Sequence, residues 1–475
     1  MCAETKLADA DSPHGQLQRG RGAGYLWALR EDPAVVHPLL LDCIVRDPRL
    51  DRQIEVRADY YAALVLQTRP PLDQVDTYLR ASGRVESWYD GPGHTLAVLG
   101  ALVARGYRPA APILRDYAWY GEELYTALAE LGQASEPVMS LVELSNLIDE
   151  RCPDDQSITD QTWGDCDYEP WISLRKTSPR IDAALTSGER QSETRVRERL
   201  LKEAEMDQQY AGMSVSELIT AAGGNGRYYR GVGAAVSKKV TVADFDLLVK
   251  AVSDRTNDRW SRVAALAGLE RLADERALPV LLAIFESDDT SMAENTVYRG
   301  ARKALFALPP EMILDLMRLW FEDGHSVMKH CAQLFLRTHG TVADVDRARR
   351  ALAAVVQEAR SGEEDHYLAI AMLDILARFP ERVSYSEVED AFVQAQHSWT
   401  RRWAIDALIE IDRDRFARGL AVECLWDCEP RVRATACRVV NLDVPSVRER
   451  LAELADDPLD DDDDVRHDAR QALEA

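Results

Sequence analysis

Apolar positions along this chain return every three to four residues, and sustained strand-like alternation of β-branched residues is nearly absent. The pattern predicts helix after helix. The last of them, Val465-Arg466-x-x-Ala469-x-x-Ala472-Leu473, sets a small residue at the centre of an apolar stripe. The same spacing returns in Val432-Arg433-x-x-Ala436-x-x-Val439-Val440, in Ser261-Arg262-x-x-Ala265-x-x-Gly268-Leu269 and in Thr400-Arg401-x-x-Ala404-x-x-Ala407-Leu408. Looser copies centre on Ala301, Cys331 and Met372, so the anchors recur about every 30–41 residues, the period of a two-helix repeat. A small central residue lets neighbouring helices approach, while larger apolar residues beside it fill the seam. A second helix is expected between successive anchors: 279–285, 312–321, 342–359, 388–394, 416–426 and 447–454.

Helix starts support this reading. Thr241-Val242-Ala243-Asp244 and Thr341-Val342-Ala343-Asp344 repeat one four-letter start, in which the hydroxyl accepts from the first turn and the carboxylate suits the positive end of the dipole. Ser214-x-x-Glu217 and Ser386-x-x-Glu389 read as capping boxes. In the N-terminal part, helices are expected near 24–30, 34–45, 53–67, 72–81, 94–105 and 122–131, punctuated by Asp32-Pro33, Asp47-Pro48, Pro70-Pro71 and Gly91-Pro92-Gly93. Residues 149–192 break the pattern with an acidic, turn-rich stretch in which Trp163, Tyr168 and Trp171 are expected at the surface. A charged helix, 193–206, and a glycine-rich turn at Gly223-Gly224-Asn225-Gly226 follow.

The runs Glu429-Pro430-Arg431-Val432-Arg433-Ala434-Thr435-Ala436 and Asp462-Asp463-Asp464-Val465-Arg466-His467-Asp468-Ala469 combine an acidic turn, Val-Arg and a central Ala. In this the chain resembles HEAT-type repeat proteins over roughly residues 255–475. The resemblance implies an all-α solenoid, a superhelix of antiparallel helix pairs whose second helices line a concave face. The expected layout is a disordered start (1–14), an N-terminal helical array (15–150), an acidic, loop-rich connector with one charged helix (151–212), and a C-terminal HEAT-like solenoid (213–475). Arginines on first helices, Arg262, Arg401, Arg433 and Arg466, are expected to pair with acidic turn residues of adjacent repeats, surface contacts worth ~0–1 kcal/mol each.

Composition narrows the function. Against 81 Asp and Glu stand 57 Lys and Arg, a formal charge of −24, which disfavours extended contact with nucleic-acid phosphates. With 46% hydrophobic residues the chain can offset its ordering entropy. No apolar run approaches the ~20 residues of a membrane helix, the first residues lack a basic-then-apolar signal, and eight scattered cysteines suggest no disulfide framework. A reduced, cytoplasmic protein is expected.

Catalytic patterns fail one by one. Gly226–Gly231 has phosphate-loop spacing, but Val232-Gly233 stands where Lys and Ser/Thr belong; Gly20-Arg21-Gly22-Ala23-Gly24 lacks a third glycine at dinucleotide spacing, and both read as inter-helix turns. There is no His-Glu dipeptide of the kind HEAT-type iron hydroxylases would bring. Cys424, Cys428 and Cys437 lack a fourth ligand nearby and read as buried packing; Cys152 and Cys166 flank the acidic loop. Gly212-Met213-Ser214-Val215-Ser216 misses the nucleophile elbow at its last position. No catalytic residue, cofactor or metal is assigned.

The residues left for recognition are aromatic clusters, Tyr60, Tyr61, Trp88, Tyr89, Trp119, Tyr120, Trp399 and Trp403, with Arg347 and Arg350. The expected function is a non-catalytic scaffold that binds another protein, with no membrane partner. The alternative is a HEAT-like DNA-binding or alkylpurine-glycosylase-type protein, whose basic groove Arg318, Arg347, Arg349, Arg350 and Arg418 would seed.

Overall fold

Ser214 and Glu217 cap one another as expected: each backbone N–H donates to the other's side chain. Thr241 and Asp244 form the same reciprocal box, and the Thr341 N–H donates to Asp344. The box expected at Ser386/Glu389 forms two residues earlier, between Ser384 and Glu387, at the start of Tyr385–Gln394. Ser384 holds the extended backbone (φ −81°, ψ 135°) that aims a hydroxyl into the first turn, and Glu389 instead bonds Arg415 at 2.9 Å.

A computed structural model describes residues 7–52, 54–82, 92–134, 137–162, 167–224, 229–286, 292–361, 364–457 and 463–474. Among the described residues the fold is all-α, 78% helix in 28 helices. The central residues of the repeats, Ala265, Ala301, Cys331, Met372, Ala404, Ala436 and Ala469, are all buried. Their helices are Arg259–Leu272, Met292–Phe306, Ser326–His339, His366–Ala377, Ser398–Arg418, Pro430–Val439 and Asp463–Glu474, alternating with partner helices such as Leu278–Phe285, Pro310–Asp323 and Pro445–Asp456.

The chain divides into two compact units, which cut across the linear layout: residues 1–190 together with 345–475, and residues 191–344. In the first unit the N-terminal helices pack in two alternating rows. Gly22–Ala28, Ala58–Thr68, Gly93–Ala104 and Leu124–Gly132 pack in succession, and Pro33–Val45, Asp73–Ser82, Ala110–Tyr120 and Leu141–Arg151 do the same. The C-terminal part of this unit repeats the scheme: His366–Ala377 packs on Ser398–Arg418, then Pro430–Val439, then Asp463–Glu474. In the second unit, Tyr229–Lys239, Arg259–Leu272 and Met292–Phe306 form a third such run.

The acidic stretch after residue 150 is more helical than its composition suggests. Asp155–Asp160, Trp171–Thr177 and the long helix Pro179–Gly212 occupy it. Trp171, expected at the surface, is buried with Leu174 of its own helix and with Ile181, Ala184 and Leu185 of the next, because in each helix the apolar positions fall three to four apart and enter one core. Tyr168 packs partly buried against the same core, while Trp163 and Cys166 lie outside the described residues. Of the expected disordered start, residues 7–14 are held in place. Ala10 is buried, Ser12 caps Pro13–Gln18, and the Ala8 N–H donates to Gln18 at 2.7 Å.

Candidate functional site

The densest polar chemistry of the first unit is internal. It forms where residues 18–21 and 48–57 meet 396–401 and 423–429, and most of its charged side chains are inaccessible to water. Two glycines permit the approach. Gly20 adopts φ +67°, and a Cβ there would fall 2.4 Å from Cys428 Sγ; a Cβ on Gly22 would fall 1.9 Å from the Glu423 carbonyl oxygen. With those positions bare, the Cys428 N–H donates to the Gly20 carbonyl at 2.8 Å, and Arg21 reaches Glu423 through Nε and Nη2 at 3.0 and 2.8 Å.

Arg57 and Arg401 are the centres of the cluster, and both guanidinium groups are wholly buried. Arg57 donates to Glu55 Oε2 at 2.6 Å, to the Gln396 carbonyl at 3.0 Å and to the Gln18 carbonyl. Glu55 accepts in addition from the N–H groups of Leu50, Asp51 and Ser398. Arg401 forms a two-pronged bond to Asp427, Nε to Oδ2 and Nη2 to Oδ1, both 2.9 Å; the Glu429 N–H also donates to Oδ1. The Ser398 hydroxyl donates to Glu429 at 3.1 Å and so joins the two halves. Glu364 accepts from the N–H groups of Gln396 and His397 and from the Thr400 hydroxyl. Arg19 donates to the carbonyls of Ala8 and Gly15.

Ionisation follows from this packing. Burial alone would raise the Glu55 carboxyl, but Arg57, His397 and the backbone donors outweigh it and hold it at about 2. Burial works against the charge on Arg401, yet Asp427 more than compensates and the guanidinium stays protonated. Arg19 is lowered to about 10 by burial and by its neighbours Arg401, Arg57 and Arg21. Burial pushes the Cys428 thiol up to about 12, with Asp427 adding to the effect, so it carries no thiolate near neutral pH. Beside the cluster, His397 stacks on His366 with centroids 4.3 Å apart, and its Nδ1 accepts from the Trp399 N–H at 3.0 Å. Burial holds His397 at about 4 despite Glu55, leaving a neutral imidazole. An adjoining void of about 10 Å³, lined by Glu364 and Thr400 among apolar side chains, is at the lower limit for one water molecule. Chemically, the arrangement is a set of charges neutralised by each other and by backbone dipoles.

His94 and Glu130 are buried ionisable groups outside this hydrogen-bond network. His94 stacks edge-on against Tyr61, and neither ring nitrogen has a hydrogen-bond partner; burial holds it at about 4. Glu130 lies against Gly100 in the space a side chain would fill; burial, then Asp59, pushes its carboxyl up to about 8.

The residues singled out for recognition fall in different environments. Tyr60 and Tyr61 are core residues and not surface anchors: their rings are buried and their hydroxyls donate to the carbonyls of Arg21 and Leu17. Trp119 is partly buried against the core; Tyr120 is exposed, with the Arg80 guanidinium 5.7 Å from its ring centroid. Trp399 and Trp403 are half-buried on one helix, and Trp88 and Tyr89 lie outside the described residues. Arg350 is exposed and Arg347 half-buried. Two arginines of the conjectured basic groove are neutralised: Arg318 grips Asp344 through Nε and Nη2 at 2.8 and 2.9 Å, and Arg349 grips Glu387 at 2.6 to 3.1 Å.

The arginine ladder takes a form that composition did not disclose. Arg401 does pair with an acidic turn residue, but in the interior. Arg433 donates to the carbonyls of Asp427 and Cys428, Arg262 to that of Val252, and Arg466 to that of Asp457. Cys43, Cys152, Cys331, Cys424, Cys428 and Cys437 are free and buried. Among the described residues, no three His, Cys, Asp or Glu side chains are grouped to hold a metal ion, and no helix is long and apolar enough to cross a membrane. No family model matches the chain, and no curated protein or solved structure proves similar to it.

Proposed function

We propose that this chain is a non-catalytic scaffold, built as a HEAT-like solenoid, that binds another protein along the face formed by the second helices of its pairs. The observation that carries this reading is the succession of packed helix rows with a buried residue, small in all but the Met372 copy, at the centre of each C-terminal first helix. Such a stack spends its apolar side on neighbour-to-neighbour contacts and leaves the outer side of each pair to vary, which suits a broad recognition surface. The buried charges favour the same reading, since the carboxylates of Glu55 and Asp427 are bonded to Arg57, Arg401 and backbone N–H groups, although Arg57 Nε and Arg401 Nη1 have no partner among the described residues. Exposed Arg350 and half-buried Arg347, on the second helix Val345–Ser361, would supply anchors of a residue type enriched at interfaces.

The test is affinity purification of the full chain followed by cross-linking. A stoichiometric partner linked to the second helices of successive pairs, and weakened at least tenfold by Arg350→Glu on the second helix Val345–Ser361, is expected. Recovery of the chain alone under low-salt washing would overturn the proposal. The DNA-binding alternative loses Arg318 and Arg349 to carboxylates; a salt-sensitive gel shift with duplex DNA would restore it.

A further inference from the structure

The long helix Pro179–Gly212 begins in one compact unit and, from residue 191, continues in the other. Every residue from 191 to 209 is exposed except the half-buried Met206. That is a stretch of roughly 28 Å at 1.5 Å per residue, and a helix so exposed along its length gains little tertiary stabilisation. Its side chains are nevertheless patterned. Val196, Leu200 and Ala204 lie four apart and form one ridge; Val196 is 42% and Leu200 55% exposed, and Leu201, 57% exposed, borders them. The ridge on one flank is Arg195, Arg199, Glu203, and the ridge on the other is Arg197, Leu201, Glu205. Both flanks therefore run from positive to negative in the direction of the chain.

We infer that this segment docks a second copy of the chain, helix against helix and antiparallel, about a two-fold axis at Leu200. Charge complementarity selects the occupant. In an antiparallel pair with that axis, position 200 meets itself and Val196 meets Ala204. Arg195 of one copy comes level with Glu203 of the other, within about two residues, and Arg197 does so with Glu205. A parallel copy would set arginines against arginines on both flanks. The within-helix Arg199–Glu203 contact, 3.8 Å between two exposed side chains, is weak and leaves both groups able to engage across the axis. The contact is isologous, as a two-fold pair requires. One helix crossing covers less than the ~1,200 Å² at the lower edge of stable interfaces, so association belongs in the micromolar range. The inference does not depend on the scaffold reading.

Sedimentation of the full chain from about 1 to 100 μM should show a monomer–dimer equilibrium. The double variant R195E/R197E and the double variant E203R/E205R should each weaken it at least tenfold, and mixing the two should restore a heterodimer. Leu200→Cys should form a disulfide-linked dimer on mild oxidation. Glu205→Cys should not, because its two copies lie about 15 Å apart, beyond disulfide reach. A chain that remains monomeric at 100 μM overturns the inference. So does a dimer that ignores both charge reversals, or one in which position 205 cross-links as readily as 200.

Discussion

Removing one charge from the Arg401–Asp427 pair isolates what the buried cluster contributes. Asp427→Asn preserves shape and one acceptor oxygen, so the Glu429 N–H keeps its partner, but the Arg401 guanidinium loses its counter-charge. Both groups are fully buried, and the carboxylate takes two arginine N–H groups at 2.9 Å. Breaking such a pair costs about 3–5 kcal/mol, because an uncompensated charge remains in a medium that solvates it poorly. For a unit of roughly 320 residues, unfolding entropy is on the order of 0.7 kcal/mol/K, so the midpoint should fall by about 4–8 °C. Calorimetry resolves this if the two units melt separately, with only the transition of the unit containing residues 401 and 427 moving. Arg401→Met in the same chain leaves Asp427 unpaired and should cost a similar amount. The double variant R401M/D427N removes both charges and should recover most of the loss, since a neutral interior suffers neither penalty. If Asp427→Asn lowers the midpoint by less than about 1 °C, or the double variant loses the sum of the two singles, the pair is hydrated and the desolvation reasoning is wrong.

Three further outcomes follow from single buried groups. Gly20→Ala meets both a left-handed backbone and the Cys428 side chain, and should cost roughly 2–5 kcal/mol in denaturant unfolding, whereas Gly93→Ala, with nothing within 4 Å, should be neutral or mildly stabilising. His94, held at about 4 when folded against 6.5 unfolded, takes up its proton in the unfolded chain first. Stability present above pH 6.5 is thus lost as pH falls toward 4, by up to about 3 kcal/mol, and His94→Leu should flatten that part of the stability-versus-pH curve. Glu130 works in the opposite sense: raised to about 8 from 4.5, it is protonated when folded, so stability falls as pH rises from 4.5 to 8 and then levels. Glu130→Gln should remove this loss, on the order of 3–5 kcal/mol, in urea titrations at pH 5 and pH 8.5.

The helices were legible because period and capping are local. Ala404 and Ala436 are buried where the template placed them, and Ser214/Glu217 closes as its spacing indicates. The capping box at Ser384 was displaced by two residues because two serines there offer the same hydroxyl, and only backbone geometry distinguishes them. Trp171 was misplaced for a different reason: acidic neighbours masked the apolar pair Trp171 and Leu174, whose core is completed by Ile181 and Leu185 of the next helix. The charge cluster was least legible. Arg401 and Asp427 are close in sequence, and the acidic-turn pattern hinted at them, but Glu55 and Ser398 are 343 positions apart. The available signal was Gly20-Arg21-Gly22, where glycines marked close backbone approach and not a slack turn.

That separation bears on how the chain is made. At ribosomal rates of about 5–20 residues per second, Glu55 and Arg57 emerge roughly 17–70 s before Ser398 exists to receive them. Residues 191–344, a contiguous unit, leave the ribosome within that interval. The waiting edge is lined with arginine and glutamate, side chains content in water, so the nascent half of the first unit presents a wettable seam to the cell until its distant complement arrives.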